Sequence, residues 1–194
     1  MVDFSFNINS FQEVIANRQG LQQPNRYAVY IVKPPNVPDT ENVIDDIPFL
    51  VQNVSIPGRA IATSDYKTYG PVTKIARESI YADISMSFIL TGDMAIKHYF
   101  DGWMNFIQDS QSYDPRYLDD YRGDIYIGQL SQDQDASILY DRNGAESFGY
   151  AQKIEDAFPT AIGDVTLGFS ENNTYGTLQV TFTYRRTVNL KHED

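Results

Sequence analysis

The chain has 194 residues, of which 42% are hydrophobic, enough for one domain with a core of ordinary size. A formal net charge of -11 argues against a protein that grips nucleic acid, because affinity for phosphate comes mostly from Lys and Arg. Cysteine is absent, which excludes disulfides and Cys-ligated metal sites. The sequence contains no apolar run of about 18 residues, so it predicts no membrane span. The N-terminus lacks the basic and apolar regions of a signal peptide, so we expect synthesis in the cytoplasm.

The first part of the chain predicts a short helix, a strand and an acidic loop. Ser10 as N-cap and Glu13 three residues later form a capping box, so we expect a helix within residues 1–25. Tyr27–Val32 is apolar on both faces and predicts a strand, which the following prolines end because proline cannot donate to the ladder. Residues 34–47 carry three prolines and four acids and predict a loop.

The middle of the chain predicts two strands separated by a long hairpin. Phe49–Ile56 has the composition of a second strand. Residues 59–78 are mainly polar and turn at Gly70-Pro71, which predicts a long hairpin. Ile80–Leu90 alternates apolar and polar residues throughout, which is typical of a half-buried strand.

The hydrophobic period then changes from two to that of a helix. Asp93 is a suitable N-cap, so we predict a helix over about residues 94–108 whose apolar stripe covers one side of a sheet. The stripe consists of Ile96, Tyr99, Phe100, Trp103, Phe106 and Ile107. Residues 109–121 are rich in Tyr and Asp and predict a polar loop.

The rest of the chain predicts further strands. Asp124–Leu130, Ser137–Tyr140 and about residues 147–158 read as strands, and Asn143-Gly144 is a strong hairpin-turn signal. The closing stretch predicts two amphipathic strands around a polar turn, each with apolar residues at period two. Those residues are Val165, Leu167 and Phe169 in one strand, and Leu178, Val180, Phe182 and Tyr184 in the other.

No group of residues indicates catalysis, a cofactor or a metal site. There are only two histidines, and the chain contains no nucleophile elbow, P-loop or dinucleotide fingerprint. We therefore expect no enzyme and no cofactor. The alternative from another class is a carbohydrate-active or glycan-binding β domain, which needs two carboxylates facing each other across a sugar. Asp119 and Asp120, beside Tyr113 and Tyr117, are the candidates for it.

Charge is placed unevenly along the chain. The predicted hairpin has a local balance of +2, from Arg59, Lys67, Lys74 and Arg77 against Asp65 and Glu78. Residues 39–46 carry four acids and no base. A basic projection and an acidic patch on one chain favour head-to-tail stacking, because a heterologous interface joins two different patches.

Several short motifs, in their order along the chain, carry a resemblance to a known family. They are Pro24-Asn25-Arg26-Tyr27 at the start of the first strand, Pro57-Gly58 after the second, Trp103 in the helix, and Pro159-Thr160 before the closing strands. This order resembles that of the tail tube proteins of contractile-tailed bacteriophages, over roughly residues 8–188. The loops at 34–47 and 109–121 and the tail after Tyr184 are longer than in a minimal tube subunit.

The resemblance implies a mainly β fold, a small antiparallel β-barrel or sandwich with one flanking α-helix and long inter-subunit hairpin and loops. One tail-tube-like domain would span residues 1–194, with an N-terminal arm and helix at 1–25 and a C-terminal tail at 185–194. Hexameric rings of this chain would stack head to tail in a virion tail. The tail sheath, baseplate and neck proteins would be its partners, and DNA would pass through the lumen at ejection without specific binding.

A baseplate tube initiator, or the tube protein of a related injection machine, is the alternative within this class. The resemblance also implies roles for particular residues. The ring-stacking hairpin would use Arg59, Tyr66, Lys67, Tyr69, Lys74 and Arg77. An acidic lumen would repel DNA, and Asp83, Asp124 and Glu155 are the candidates to line it.

Overall fold

The fold was analysed on a computed structural model. The residues that it describes are 7–18, 20–39, 42–67, 69–130, 148–168 and 174–190. They form helices α1 (Ile8–Asn17), α2 (Val43–Leu50), α3 (Ala95–Ile107) and α4 (Leu118–Tyr121). The strands are β1 (Tyr27–Ile31), β2 (Val51–Val54), β3 (Arg59–Tyr66), β4 (Thr73–Tyr81), β5 (Ile84–Ile89), β6 (Gly123–Leu130), β7 (Phe148–Ile162), β8 (Thr177–Thr183) and β9 (Arg186–Asn189).

Seven of these strands form one antiparallel sheet, and β3 and β4 form a separate two-stranded one. The large sheet has the order β1-β6-β7-β8-β5-β2, and β9 also pairs with β7. The long strand β7 changes partners along its length, because residues 148–157 pair with β6 and β9 whereas residues 158–162 pair with β8. We call β1, β6, β9 and residues 148–157 the first half-sheet, and β2, β5, β8 and residues 158–162 the second half-sheet.

The two half-sheets share one hydrophobic core, which α3 covers. Ile125 and Ile154 enter it from the first half-sheet and Phe88 and Phe182 from the second, all fully buried. The helix adds the only tryptophan of the chain, Trp103, whose Nε1–H donates to a backbone carbonyl at 2.9 Å. This confirms the predicted helix and its role of covering a sheet.

The sheet does not close into a barrel by backbone pairing. Its edge strands β1 and β2 share no ladder, but the Tyr27 hydroxyl donates to the carbonyls of Val51 at 3.1 Å and Gln52 at 2.6 Å. The Tyr27 side chain therefore links β1 to β2, where a closed barrel would have backbone hydrogen bonds between the two strands. The expected mainly β fold is confirmed, in the form of an open sheet folded over one core.

The N-terminal predictions need two corrections. Helix α1 is present, but its N-cap is Asn7, whose side chain accepts from the backbone N–H of Ser10 at 2.8 Å, so Ser10 is not the cap. The predicted loop at 34–47 ends in helix α2, which begins where Asp39 accepts from the first backbone N–H groups of the helix. Helix α2 also takes the start of the predicted strand Phe49–Ile56, which is shortened to β2.

The prediction of one strand over Ile80–Leu90 is wrong in its extent. Ala82 and Asp83 separate β4 from β5, because β4 pairs with β3 whereas β5 pairs with β2 and β8. A short helix, α4, lies within the predicted loop at 109–121. Asp93 accepts from the backbone N–H of Ala95 at 3.3 Å, although the residue at the cap position itself is Met94.

The C-terminal predictions hold for β6, β7 and β8 and are wrong for the strand around Val165. Strand β7 continues through Pro159 and ends at Ile162, and residues 163–168 form no strand. Within the predicted tail, residues 186–189 form β9, which pairs with β7 on the side away from β6. The predicted strand Ser137–Tyr140, the turn at Asn143-Gly144 and Phe169 lie outside the described residues.

Candidate assembly surfaces

The hairpin formed by β3 and β4 stands apart from the folded core. Its strands pair only with each other, from Arg59 opposite Tyr81 to Tyr66 opposite Thr73, and none of its residues belongs to a buried cluster. Tyr69 at the tip is fully exposed. A two-stranded hairpin is at best marginally stable alone in water, so an exposed one of this length is suited to a contact with another molecule.

One face of the hairpin is apolar. Residues that are directly opposite in an antiparallel pair share a face, and the register pairs Ala60 with Ile80, Ser64 with Ile75, and Tyr66 with Thr73. Alternation along β3 places these three pairs on the same side, because the register shift after Ile61 offsets the five-residue spacing between Ile75 and Ile80. Ile75 and Ile80 are about half exposed, at 47% and 52%. Uncovered aliphatic side chains in a row mark a protein-binding surface.

The hairpin also carries charge that its own chain leaves uncompensated. Arg77 donates to Ser64 Oγ at 3.0 Å and Arg59 donates to Ser79 Oγ at 3.0 Å, both neutral acceptors. None of its charged side chains makes an ion pair with a described residue. The excess of +2 is thus available to a partner of opposite charge.

An acidic and aromatic surface lies at the other end of the same pair of strands. Helix α2 leads directly into β2, whereas the hairpin leaves from the opposite end of β2 and β5. The helix buries its aliphatic residues and exposes Asp45, Asp46 and Phe49, the last at 75%. No Lys or Arg occurs between Lys33 and Arg59. The two ends of the β2–β5 pair therefore carry opposite charge.

The second half-sheet has two open edges. Among the described strands, β2 pairs only with β5, and residues 158–162 pair only with β8. The Tyr27 hydroxyl contacts two carbonyls of β2, those of Val51 and Gln52, but forms no ladder with it. Open edges present unpaired backbone N–H and C=O groups that another strand can satisfy. They are suited to joining neighbouring copies side by side.

The comparisons with known proteins agree with an assembling subunit. The family model described as phage tail tube protein matches residues 22–189. The chain belongs to this family. No curated protein matches it.

Solved structures share the fold of this tail tube protein at low identity. A chain of the anti-feeding prophage baseplate, 6-fold symmetrised, matches with a TM-score of 0.57 and 12% identity over 85% of this chain and 92% of that one. A chain of an extracellular contractile injection system, from its sheath-tube complex in the extended state, gives 0.56 and 16% over 95% and 98%. The cap that terminates the anti-feeding prophage tube gives 0.56 and 16% over 97% and 98%.

The tail tube protein is a structural subunit of a tail tube, and the glycan-active alternative is not favoured. Asp119 and Asp120 are adjacent on α4 and do not face each other across a cleft. Asp119 pairs with Arg122 at 2.9 Å, and Asp120 accepts from Asn36 Nδ2 at 3.2 Å. Among the described residues no group of three or more acids and histidines could hold a metal ion. No described helix is long and apolar enough to cross a membrane.

Two of the three predicted lumen acids of the tail tube protein lie in an ion-pair network on the first half-sheet. Lys153 Nζ lies 3.2 Å from Asp124 and 3.6 Å from Glu155, and Arg186 also pairs with Glu155. The hydrogen bond from Arg186 lowers the pKa of Glu155. Burial opposes the charge of Lys153, but the bond and attraction from Asp124 outweigh it and raise the pKa of Lys153. These carboxylates are therefore charged but locally compensated.

The third predicted lumen acid, Asp83, lies elsewhere. It is exposed, precedes β5 by one residue and makes no ion pair with any described residue. Which residues line the channel of the tail tube protein stays a prediction. The sequence found the basic hairpin, but it missed the exposed Phe49 and the open strand edges, since both depend on where α2 ends and on which strands pair.

Proposed function

We propose that six copies of this tail tube protein form a ring, and that rings stack head to tail into a channel for DNA ejection. The free-standing, uncompensated hairpin is the observation that carries the proposal, because no described strand pairs with it and its tip is fully exposed. The sixfold symmetry of one of the similar assemblies supports the number of copies. The role is structural and involves no catalysis.

Within a ring, the open edges of the second half-sheet join neighbouring copies. Pairing β2 of one copy with residues 158–162 of the next gives a partner to both edges of the second half-sheet. The joined half-sheets form one continuous sheet around the channel.

Between rings, the basic and apolar hairpin of one copy contacts the acidic and aromatic end of another. Lys74 and Arg77 face Asp45 and Asp46 across the interface, and Phe49 packs against the aliphatic face of the hairpin. The opposite placement of these surfaces on the β2–β5 pair supports this direction of stacking. Such a contact repeats without limit along one axis, as a heterologous interface does.

The test is a charge exchange between the two surfaces. Lys74→Glu with Arg77→Glu places like charges against Asp45 and Asp46, so we expect the concentration needed for tube formation to rise about tenfold, or about 1.4 kcal/mol. Adding Asp45→Lys with Asp46→Lys restores opposite charges and the original net charge of -11. We expect it to restore tubes, as measured by light scattering and electron microscopy.

The matched control reverses two exposed cations outside the hairpin. Arg18→Glu with Lys33→Glu makes the same change in net charge and should leave tube formation unchanged. This mode of stacking is contradicted if the control loses tube formation to the same extent. It is also contradicted if the fourfold variant keeps its melting temperature but does not form tubes.

The remaining partners follow from the same role. A sheath surrounds the tube, and baseplate and neck proteins hold its ends, in a virion tail assembled in the host cytoplasm. A subunit at the tube end, such as an initiator or the tube protein of an injection machine, is the second candidate. The length of the segments at 34–47 and 109–121 and of the chain after Tyr184 favours it.

A further inference from the structure

The two half-sheets are connected by two stretches of chain that bend at the same corner. Strand β7 passes from the first half-sheet to the second at residues 156–157. Residues 184–185 lie opposite this point and carry the chain from β8 to β9. The backbone N–H of Arg185 donates to the Glu155 carbonyl at 3.1 Å, so the two stretches stay bonded through the bend. The conformation of this corner therefore sets the direction in which the second half-sheet leaves the first.

Asp156 gives this corner its shape. Its φ is 57°, in the left-handed region, and among the described residues it is the only non-glycine residue inside a strand with a positive φ. The register places Asp124 opposite both Glu155 and Asp156, two residues against one, which is a β-bulge. A bulge bends its strand and changes the direction of the residues that follow. Backbone strain of this kind persists only where the surroundings hold it.

Side chains from both sides of the corner hold Asp156. Its backbone N–H donates to Asp124 Oδ1 at 3.3 Å. Its carboxylate, only 14% exposed, accepts from Arg122 Nη1 at 2.7 Å and from Arg185 Nη1 at 3.4 Å. Arg122 directly precedes β6, whereas Arg185 lies between β8 and β9. One carboxylate thus links the start of β6, the bulge of β7 and the bend after β8.

Arg122 is a fixed anchor for this carboxylate. Its backbone N–H donates to the Leu118 carbonyl of α4 at 3.0 Å. The preceding carbonyl, that of Tyr121, accepts from the buried Trp103 of α3 at 2.9 Å. Asp156 is therefore tied, through Arg122, to the helices as well as to the strands.

The open edge at residues 158–162 begins two residues after Asp156. Its direction relative to the rest of the subunit follows from the bend at the bulge, because no described strand pairs with the outer side of this edge. A ladder forms only where two strands run alongside each other, about 4.8 Å apart. An edge that points in another direction offers a neighbouring β2 too few aligned backbone groups.

We infer that Asp156 is a positioning residue for assembly, which holds the edge at residues 158–162 in the direction that pairs with β2 of a neighbouring copy. The inference rests on the proposed ring. When the side-chain bonds of Asp156 are lost, the edge adopts several directions. The apparent affinity between copies then falls in proportion to the fraction of subunits in the competent direction.

The preceding residue, Glu155, provides the matched control. Its carboxylate is 19% exposed and also pairs with two cations, Lys153 and Arg186. Both cations belong to the first half-sheet, so these ion pairs do not cross the corner. Asp156→Asn and Glu155→Gln each remove one negative charge, and only the first weakens the links across the corner.

The first measurement is the concentration needed for ring formation, by sedimentation velocity. Asp156→Gly accepts the positive φ but removes both bonds to arginine. We expect the concentration to rise at least about tenfold for Asp156→Gly, because fewer than about one in ten subunits then holds the competent direction. Asp156→Asn should have a smaller effect, since it tolerates the left-handed region and keeps one oxygen acceptor, and Glu155→Gln should have none. Melting temperatures should change little, because the Arg122 and Arg185 side chains are 40% and 69% exposed and water solvates them.

The second measurement is the direction of the edge in the unassembled subunit. Cysteine is absent, so spin labels can be attached at two chosen sites. Gln129→Cys places one label on β6 in the first half-sheet, and Ser87→Cys places the other on β5 in the second. Pulsed electron paramagnetic resonance then gives the distribution of distances between the labels. We expect one narrow distribution in the labelled chain and with Glu155→Gln added, and a broader one with Asp156→Gly added.

Three results overturn the inference while leaving the proposed function intact. The first is ring formation by Asp156→Gly at an unchanged concentration. The second is an unchanged distance distribution in Asp156→Gly, which means that core packing alone sets the direction of the edge. The third is an equal loss of assembly in Asp156→Asn and Glu155→Gln, a comparison that also decides the matter if Asp156→Gly does not fold. If the unaltered chain forms no rings or tubes under any condition, the proposed function itself fails, and the inference fails with it.

Discussion

Removing the hairpin is expected to abolish tubes while the subunit still folds. Ile61 lies opposite Ser79, so replacing residues 62–78 with Asn-Gly closes the shortened hairpin with a two-residue type I′ turn. The deleted residues contribute nothing to either buried cluster. The proposed contact between rings disappears with them, whereas the edges proposed to join neighbours within a ring are unchanged.

The measurements for this variant are thermal unfolding by circular dichroism and the size distribution by sedimentation velocity. We expect a melting temperature within a few degrees of the unaltered chain, since the two buried clusters of the described residues are unchanged. We also expect particles no larger than one ring at concentrations where the unaltered chain forms tubes. Tubes at an unchanged yield would show that the hairpin is not the stacking element.

Replacing the buried tryptophan is expected to give the largest loss of stability. Trp103 is fully buried and packs against Tyr99, Phe100 and Phe182, with ring centroids 5.9 to 6.3 Å away. Trp103→Ala removes this packing and leaves the Tyr121 carbonyl without its 2.9 Å donor. Such a truncation costs about 3–5 kcal/mol, a large part of the 5–15 kcal/mol typical of a folded domain.

Urea unfolding followed by circular dichroism measures this loss, because the variant has no tryptophan to report by fluorescence. Tyr117→Ala is the matched control, since Tyr117 is 85% exposed and its truncation should change the free energy of unfolding by less than about 0.5 kcal/mol. A loss below about 1 kcal/mol for Trp103→Ala would contradict the packing described for α3.

The sequence predicted best where its periodicity and its pairing agree. Strand β8 alternates apolar and polar residues, and Leu178, Val180 and Phe182 are all fully buried. Val165 and Leu167 alternate in the same way, but no described strand pairs with them, and Leu167 is 86% exposed. An alternating sequence indicates which residues would face the core, but the segment forms a strand only where another strand pairs with it.

Helix α2 was not predictable for a different reason. Pro48 lies inside it, and the three prolines of residues 34–47 favour a loop when read locally. Val43, Ile44 and Ile47 nevertheless have helical spacing and are buried against the core. Tertiary packing thus outweighs local preference at this position. The exposed Phe49, which the stacking proposal uses, could be located only once the end of this helix was known.

Some features of the assembly surfaces were predictable from the sequence, and others depended on strand pairing. The hairpin was predictable because a long polar stretch around a Gly-Pro turn, with an excess of cations, lies within the sequence itself. The compensation of Asp124 and Glu155 was not, because Lys153 and Arg186 reach them only through the pairing of β6, β7 and β9. Whether a carboxylate has an ion-pair partner thus depends on strand pairing more than on the type of residue.

The most direct test of the central claim is electron microscopy of the purified, unaltered chain over a range of concentrations. The account predicts rings with an open channel at low concentration and stacked tubes at high concentration, with a countable symmetry in end views. A chain that remains a monomer at every concentration, alone and with preformed tube ends added, would contradict it.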